Sequence, residues 1–154
     1  MLPTTVKRVP NQTCAAVNEQ IRRQTEENIS RLKQAGPTAI ARRLEELDAE
    51  WDVERAIEAN AATASIIGLA LGVTVNRRWL ALPAVVGAFL LQHAVQGWCP
   101  PLPVLRRLGF RTASEIDYER YALKALRGDF ADIHPDKRDR GNKFAEKALR
   151  AAEA

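Results

Sequence analysis

Between Ala59 and Leu105 the chain carries only two charged residues, Arg77 and Arg78, and no acid. Both flanks are crowded with Asp, Glu, Lys and Arg. A segment this long that avoids charge belongs inside a bundle or inside a bilayer. Crossing a hydrocarbon core of ~30 Å takes about 20 apolar residues, within a range of about 17–25. Ala59–Asn76 offers 18 uncharged residues and Trp79–Leu105 offers 27. A soluble bundle of 154 residues must turn one face of most helices to water, which leaves little room to bury two helices on every side. The expected fold is therefore all-α: a two-helix transmembrane hairpin with amphipathic cytoplasmic helices on both sides. Along the chain this gives an N-terminal arm (1–58), the hairpin (59–105, with spans about 59–76 and 79–98) and a C-terminal helix with a basic tail (106–154). The alternative is a soluble helical bundle.

Asn76-Arg77-Arg78 is too short to let the two spans run parallel, so both termini are expected on one side. Trp79 and Trp98 bracket the second apolar helix as interface anchors. Arg55, Arg106, Arg107 and Arg111 outnumber the two arginines of the break, which by the positive-inside rule favours cytoplasmic termini. The opening residues "MLPTTVKRVP" lack the apolar core of a signal peptide. Two distant cysteines, Cys14 and Cys99, form no disulfide framework, in keeping with a reducing compartment.

The flanks read as amphipathic helices. Residues 1–12 look irregular, broken by Pro3 and Pro10. A first helix is expected over about 13–35, with Cys14, Val17, Ile21, Ile29 and Leu32 roughly on one face. Gly36-Pro37 ends it and starts the next. Ile40, Leu44, Leu47 and Trp51 then recur at spacings of 4, 3 and 4, a stripe suited to helix pairing. No breaker follows Trp51, so one continuous helix is expected from about 38 to 75, roughly 57 Å long at the α-helical rise. Beyond the prolines, Thr112 and Glu115 fit a capping box. Ile116, Leu123, Leu126 and Phe130 share a face, Gly128 is a stop, and a last helix is expected from about Asn142.

Few residues here suggest chemistry. Gly68-x-x-x-Gly72, extended upstream by Ala64, is a close-packing face. Its partner is either the second span, through Ala84 and Ala88, or another copy of the chain. Gln92, His93 and Gln96 form an intramembrane polar cluster. Such groups mark a solute or proton path, a haem or metal ligand, or hydrogen bonds between helices. The last reading is the plainer one, because a metal needs more ligands than one histidine. Cys99 is either a candidate thiol at the membrane surface or a small apolar residue where a helix stops. The negative end of the helix dipole disfavours its thiolate. Glu50, Glu54 and Glu58 would form a carboxylate ladder on the long helix, with Asp48 and Asp52 as a second pair. Their expected partners are Arg106, Arg107, Arg111, Lys124 and Arg127. No phosphate loop, nucleophile triad or zinc-ligand spacing is present, so no catalytic residue, cofactor or metal is expected. The basic tail lacks interleaved aromatics, so no nucleic acid is expected either.

The hairpin with its polar break, ending in "GWCPPLPVLRRLG", resembles the YgaP-like transmembrane domain over about 58–110. That domain is a small bacterial inner-membrane hairpin found alone or fused to a rhodanese sulfurtransferase. Gly97-Trp98-Cys99-Pro100 carries most of the likeness. The resemblance implies an inner-membrane location, self-association and, through the fused relatives, sulfur chemistry in which Cys99 matches the motif cysteine. This chain has no α/β pattern of its own for a rhodanese domain, so a sulfur role would need a sulfurtransferase or another membrane-complex subunit as partner. The expectation is a small, non-enzymatic, self-associating membrane anchor or scaffold. The alternatives are a thiol-dependent sulfur or redox accessory using Cys99, and a soluble bundle holding an apolar ligand or haem through His93.

Overall fold

The computed structural model describes residues 3–131 and 142–153, and among them every regular element is helical. The helices are α1 (Arg8–Asn11), α2 (Ala15–Ala35), α3 (Pro37–Ala49), α4 (Val53–Thr74), α5 (Ala81–Gln96), α6 (Leu102–Arg107), α7 (Ala113–Arg127) and α8 (Asn142–Glu153), with a 3₁₀ turn at Arg77–Leu80. They form two compact units, one of Met1–Arg23 with Trp51–Ser114 and one of Gln24–Glu50 with Glu115–Ala154. These units do not follow the three-part division along the chain, because the N-terminal arm is shared between them.

In the second unit, Ile40, Leu44 and Leu47 of α3 are buried with Leu32 of α2 and Ile116 and Leu123 of α7. The stripe read from the sequence is thus the core of this unit. Gly36 takes φ +89°, a left-handed value open to glycine, and Pro37 begins α3 where no backbone donor is needed. Across the core, the fully buried Glu119 carboxylate accepts a bond of 2.9 Å from Arg43 Nε. Arg120 donates to Asp48 Oδ1 at 2.9 Å. Leu126, expected on the packed face, is exposed. Gly128 ends α7 as expected, at φ +93°. The tail helix starts at Asn142, and Lys124 Nζ donates to the carbonyl of Ala152. The tail residues 132–141 lie outside the described residues.

The continuous helix expected over about 38–75 is broken. Glu50 is extended (φ −68°, ψ 129°), and Asp52, also extended, caps α4 by accepting from the Arg55 backbone N–H at 2.6 Å. Asp52 supplies an N-cap that the apolar periodicity alone does not reveal. Trp51 falls in the break. It does not extend the α3 stripe, being 47% exposed with the Arg55 guanidinium 4.5 Å over its ring. Arg8–Asn11, within a stretch expected to be irregular, forms α1. Pro10 sits inside α1, within a first turn that needs no donor from it.

In the first unit, α4 and α5 run side by side. Asn76 Oδ1 accepts from the Arg78 N–H at 2.9 Å and shapes the turn between them. Two helical segments are long and apolar enough to cross a membrane, α4 and the stretch Arg77–Gln96 that the 3₁₀ turn forms with α5. The apolar window of the first falls in α4, since charges thin out only there. Only 22% and 6% of the two windows are buried. Ile66, Val73 and Leu91 are among the large apolar side chains left open.

Candidate functional site

The seam between α4 and α5 is set by glycine. A Cβ on Gly68 would stand 2.7 Å from Pro83 Cδ, and one on Gly72 would stand 2.5 Å from Leu80 Cδ2. The small-residue face is therefore used within the chain, against Leu80, Leu82 and Pro83. The alanines offered as its partner, Ala84 and Ala88, are exposed. Leu80 and Pro83 come first because the 3₁₀ turn brings the chain back immediately after α4.

Away from the turn the helices part, leaving an apolar cavity of about 300 Å³. Ile57, Ala61 and Ala64 line it from α4, Phe89 and Leu90 line it from α5, and Cys99 lies at its end. Ala64 thus sits on the cavity while Gly68 and Gly72 sit on the tight contact. Trp98 is half-buried and meets Phe89 edge to face, with centroids 6.5 Å apart. Trp79, at the opposite end of α5, is exposed.

Cys99 is 2% exposed and packs with Val9, Val53, Ile57 and Leu102. Of the two readings of Cys99, this burial fits the small apolar residue at a helix stop and not the surface thiol. Burial pushes its pKa up, against a smaller pull from the Leu102 backbone. Cys14 is the exposed cysteine. The helix stop itself is as read: Gly97 closes α5 at φ +81°, its N–H donating to the His93 carbonyl at 2.8 Å.

The polar cluster of α5 comes apart in the structure. Gln96 is exposed and Gln92 half-buried, whereas His93 is 5% exposed. Neither ring nitrogen of His93 has a hydrogen-bond partner among the described residues, so the expected bonds between helices are not what holds it. Beside it lies Arg8 of α1, whose Nη1 donates to the Ala94 carbonyl at 3.0 Å and whose Nη2 is 3.8 Å from Glu54 Oε1. Arg8 Nε and Glu54 Oε2 are also buried without a partner. Burial raises the Glu54 pKa and the charge of Asp52 adds to this, while its backbone bond and the Arg8 and Arg106 charges oppose it.

The acid ladder does not form. Glu50 lies outside α4 and meets Arg43 at 3.4 Å, Glu54 meets Arg8, and Asp52 is a cap. Arg106, expected to pair with these acids, is 1% exposed and donates to Thr13 Oγ1, Asn18 Oδ1 and the Phe110 carbonyl. Arg127 pairs with Asp129. Sequence reasoning missed Arg8 as a neighbour of His93 and partner of Glu54, because nothing in a charged, proline-bounded start signals a helix that docks. Among the described residues no cluster of three or more metal-ligating side chains occurs. No family model, curated protein or solved structure matches the chain.

Proposed function

We propose that this is an integral membrane protein whose α4 and α5 form a transmembrane hairpin, anchoring amphipathic helices at the cytoplasmic face of a bacterial inner membrane. One observation carries the reading: the two apolar helices are apolar all round, yet little of their surface is buried. Such a surface in water would be a large liability, whereas in lipid it costs nothing. The polar residues gather at the Arg8, Glu54 and His93 end, where a hairpin would meet the headgroups. The likeness of the 58–110 segment to the YgaP-like domain supports the same reading. The function is that of an anchor or scaffold, with no enzymatic activity of its own. Because Gly68 and Gly72 are occupied within the chain, self-association uses another face. Thiol-based sulfur transfer through Cys99 has the burial of that thiol against it.

Alkaline carbonate extraction of expressing cells tests the reading. The protein is expected in the membrane pellet and released only by detergent. Recovery in the carbonate supernatant, or purification as a soluble species without detergent, overturns it. Maleimide labelling of the exposed Cys14 in inside-out but not right-side-out vesicles checks the orientation.

A further inference from the structure

The seam between α4 and α5 is held at both ends and open between them. At the turn, Gly68 and Gly72 meet Pro83 and Leu80 without room for a methyl group. At the far end Val53 and Ile57 of α4 are buried with Cys99 and Leu102, and Trp98 meets Phe89 edge to face. Between these contacts lies the apolar cavity of about 300 Å³. Ala61 and Ala64 offer it only methyl groups from α4, whereas Phe89 and Leu90, each 37% exposed, border it on α5. The two helices cannot close over the gap without giving up the contact at one end or the other.

The lining fixes the kind of occupant. Of the lining side chains only Asn60 and Cys99 carry a polar atom, and none is charged. Asn60 Nδ2 already donates to the Ala56 carbonyl at 2.7 Å. A charged group therefore gains nothing by entering, and water, which needs several polar partners, gains little. A hydrocarbon fits, because the volume stands at the lower bound of ligand-sized pockets and such pockets are mostly apolar and aromatic. Its source follows from position. Ala61, Ala64, Val86, Phe89 and Leu90 belong to the two segments that are apolar and little buried, and in a bilayer the hydrocarbon at that depth is lipid. Between helices in lipid it is packing that decides, with no hydrophobic push. Walls facing a void forfeit dispersion contacts, and a chain laid in the gap restores them.

We propose that this cavity is a slot for one acyl chain of a cytoplasmic-leaflet phospholipid, the chain lying along Ala61, Ala64 and Phe89 and the headgroup staying outside. Cys99 and Pro101, which follow α5, line the slot, so the chain enters from the leaflet on the side of the termini. This rests on the membrane reading, since the lipid comes from the bilayer. No bond is made or broken; the step is binding.

The test uses the full chain purified in a mild nonionic detergent, which strips loosely held lipid, and a phosphatidylglycerol bearing a diazirine in one acyl chain. Saturable photolabelling is expected within residues 57–64 and 86–90, with a single phospholipid per chain surviving in native mass spectrometry. The Ala61→Phe/Ala64→Phe variant fills the slot and is expected to abolish both signals. Ala64→Leu, a smaller intrusion, is expected to weaken labelling and serves where the double variant does not fold. Unlabelled phosphatidylethanolamine should compete as well as phosphatidylglycerol, since the slot reads no headgroup, and dihexanoyl phosphatidylglycerol should compete poorly. Labelling spread over the exposed Ile66, Leu69, Val73 and Leu91, or unchanged by filling the slot, overturns the proposal. So does labelling that falls as the chain dimerises, which would put a second copy in the slot. Carbonate extraction is read separately: a pelleted protein that fails to label overturns the slot alone, and a soluble protein that labels overturns the membrane reading alone.

Discussion

A side chain at Gly97 would run into the backbone of Arg8, its Cβ standing 2.5 Å from the Arg8 carbonyl carbon and 2.8 Å from the Arg8 Cβ. Two chain positions 89 residues apart thus meet without room for a methyl group. Gly97 also has φ +81°, so a substitution there is strained twice. Gly97→Ala is expected to lower stability by roughly 2–3 kcal/mol, combining left-handed strain and overpacking. Thermal unfolding in detergent, followed by far-ultraviolet circular dichroism, checks this. A variant as stable as the parent means that α1 does not dock at the end of α5.

The two thiols should differ sharply in reactivity. Cys14 is exposed, whereas Cys99 is buried with its thiol held above the usual range. Iodoacetamide is expected to modify Cys14 at least about tenfold faster in the folded protein, the thiolate being the nucleophile. Denaturation should erase the difference. Mass spectrometry of timed samples reads both sites at once, and fast modification of native Cys99 would revive the sulfur-transfer reading.

Arg43 and the fully buried Glu119 form the charged element of the second core. Neighbouring acids and this bond hold the Arg43 pKa above its usual value. Arg43→Met strips a buried carboxylate of its guanidinium and is expected to cost about 3 kcal/mol. Replacing both residues, Arg43→Met with Glu119→Leu, is expected to recover most of that loss. Denaturant titration of both single variants and the double variant measures it, and a double-variant loss equal to the sum of the two single losses would mean that the pair is not coupled.

Glu54 makes the first unit sensitive to pH in a definite direction. Its folded pKa lies above the ordinary 4.5, so the folded state binds its proton more tightly than the unfolded state. The stability from this group is present below about pH 4.5 and is lost as pH rises through the raised folded value. Glu54→Gln is therefore expected to match the parent near pH 4 and to be more stable near pH 8. Melting curves at the two pH values settle the sign, and a variant less stable at pH 8 would show that the Arg8 contact outweighs burial.

Much of this architecture is legible in the sequence where the signal is hydropathy or a stop. The uncharged zone marks α4 and α5, Gly97 and the two prolines end α5, and Ile40, Leu44 and Leu47 give the second core. The break at Glu50–Asp52 was hidden because its cause is one capping carboxylate among many acids, not a glycine or proline. The polar end of the seam was hidden for another reason. His93 drew attention alone, but its neighbour Arg8 comes from a segment 85 positions away, and only tertiary docking joins them. Cys99 was misplaced because a helix end was equated with a surface, whereas α6 turns back and covers it.

The glycine seam has a consequence for how this segment tolerates change over time. The outward faces of α4 and α5 ask only for apolar character, so Ile66, Leu69, Val73 and Leu91 can be exchanged for one another with little effect. The inward positions ask for a particular size at a particular place: nothing beyond a hydrogen at Gly68, Gly72 and Gly97, and a small thiol at Cys99. Most of the letters in the hairpin thus carry almost no information, and a handful carry nearly all of it. Two such chains with the same fold could share few identities beyond those few positions.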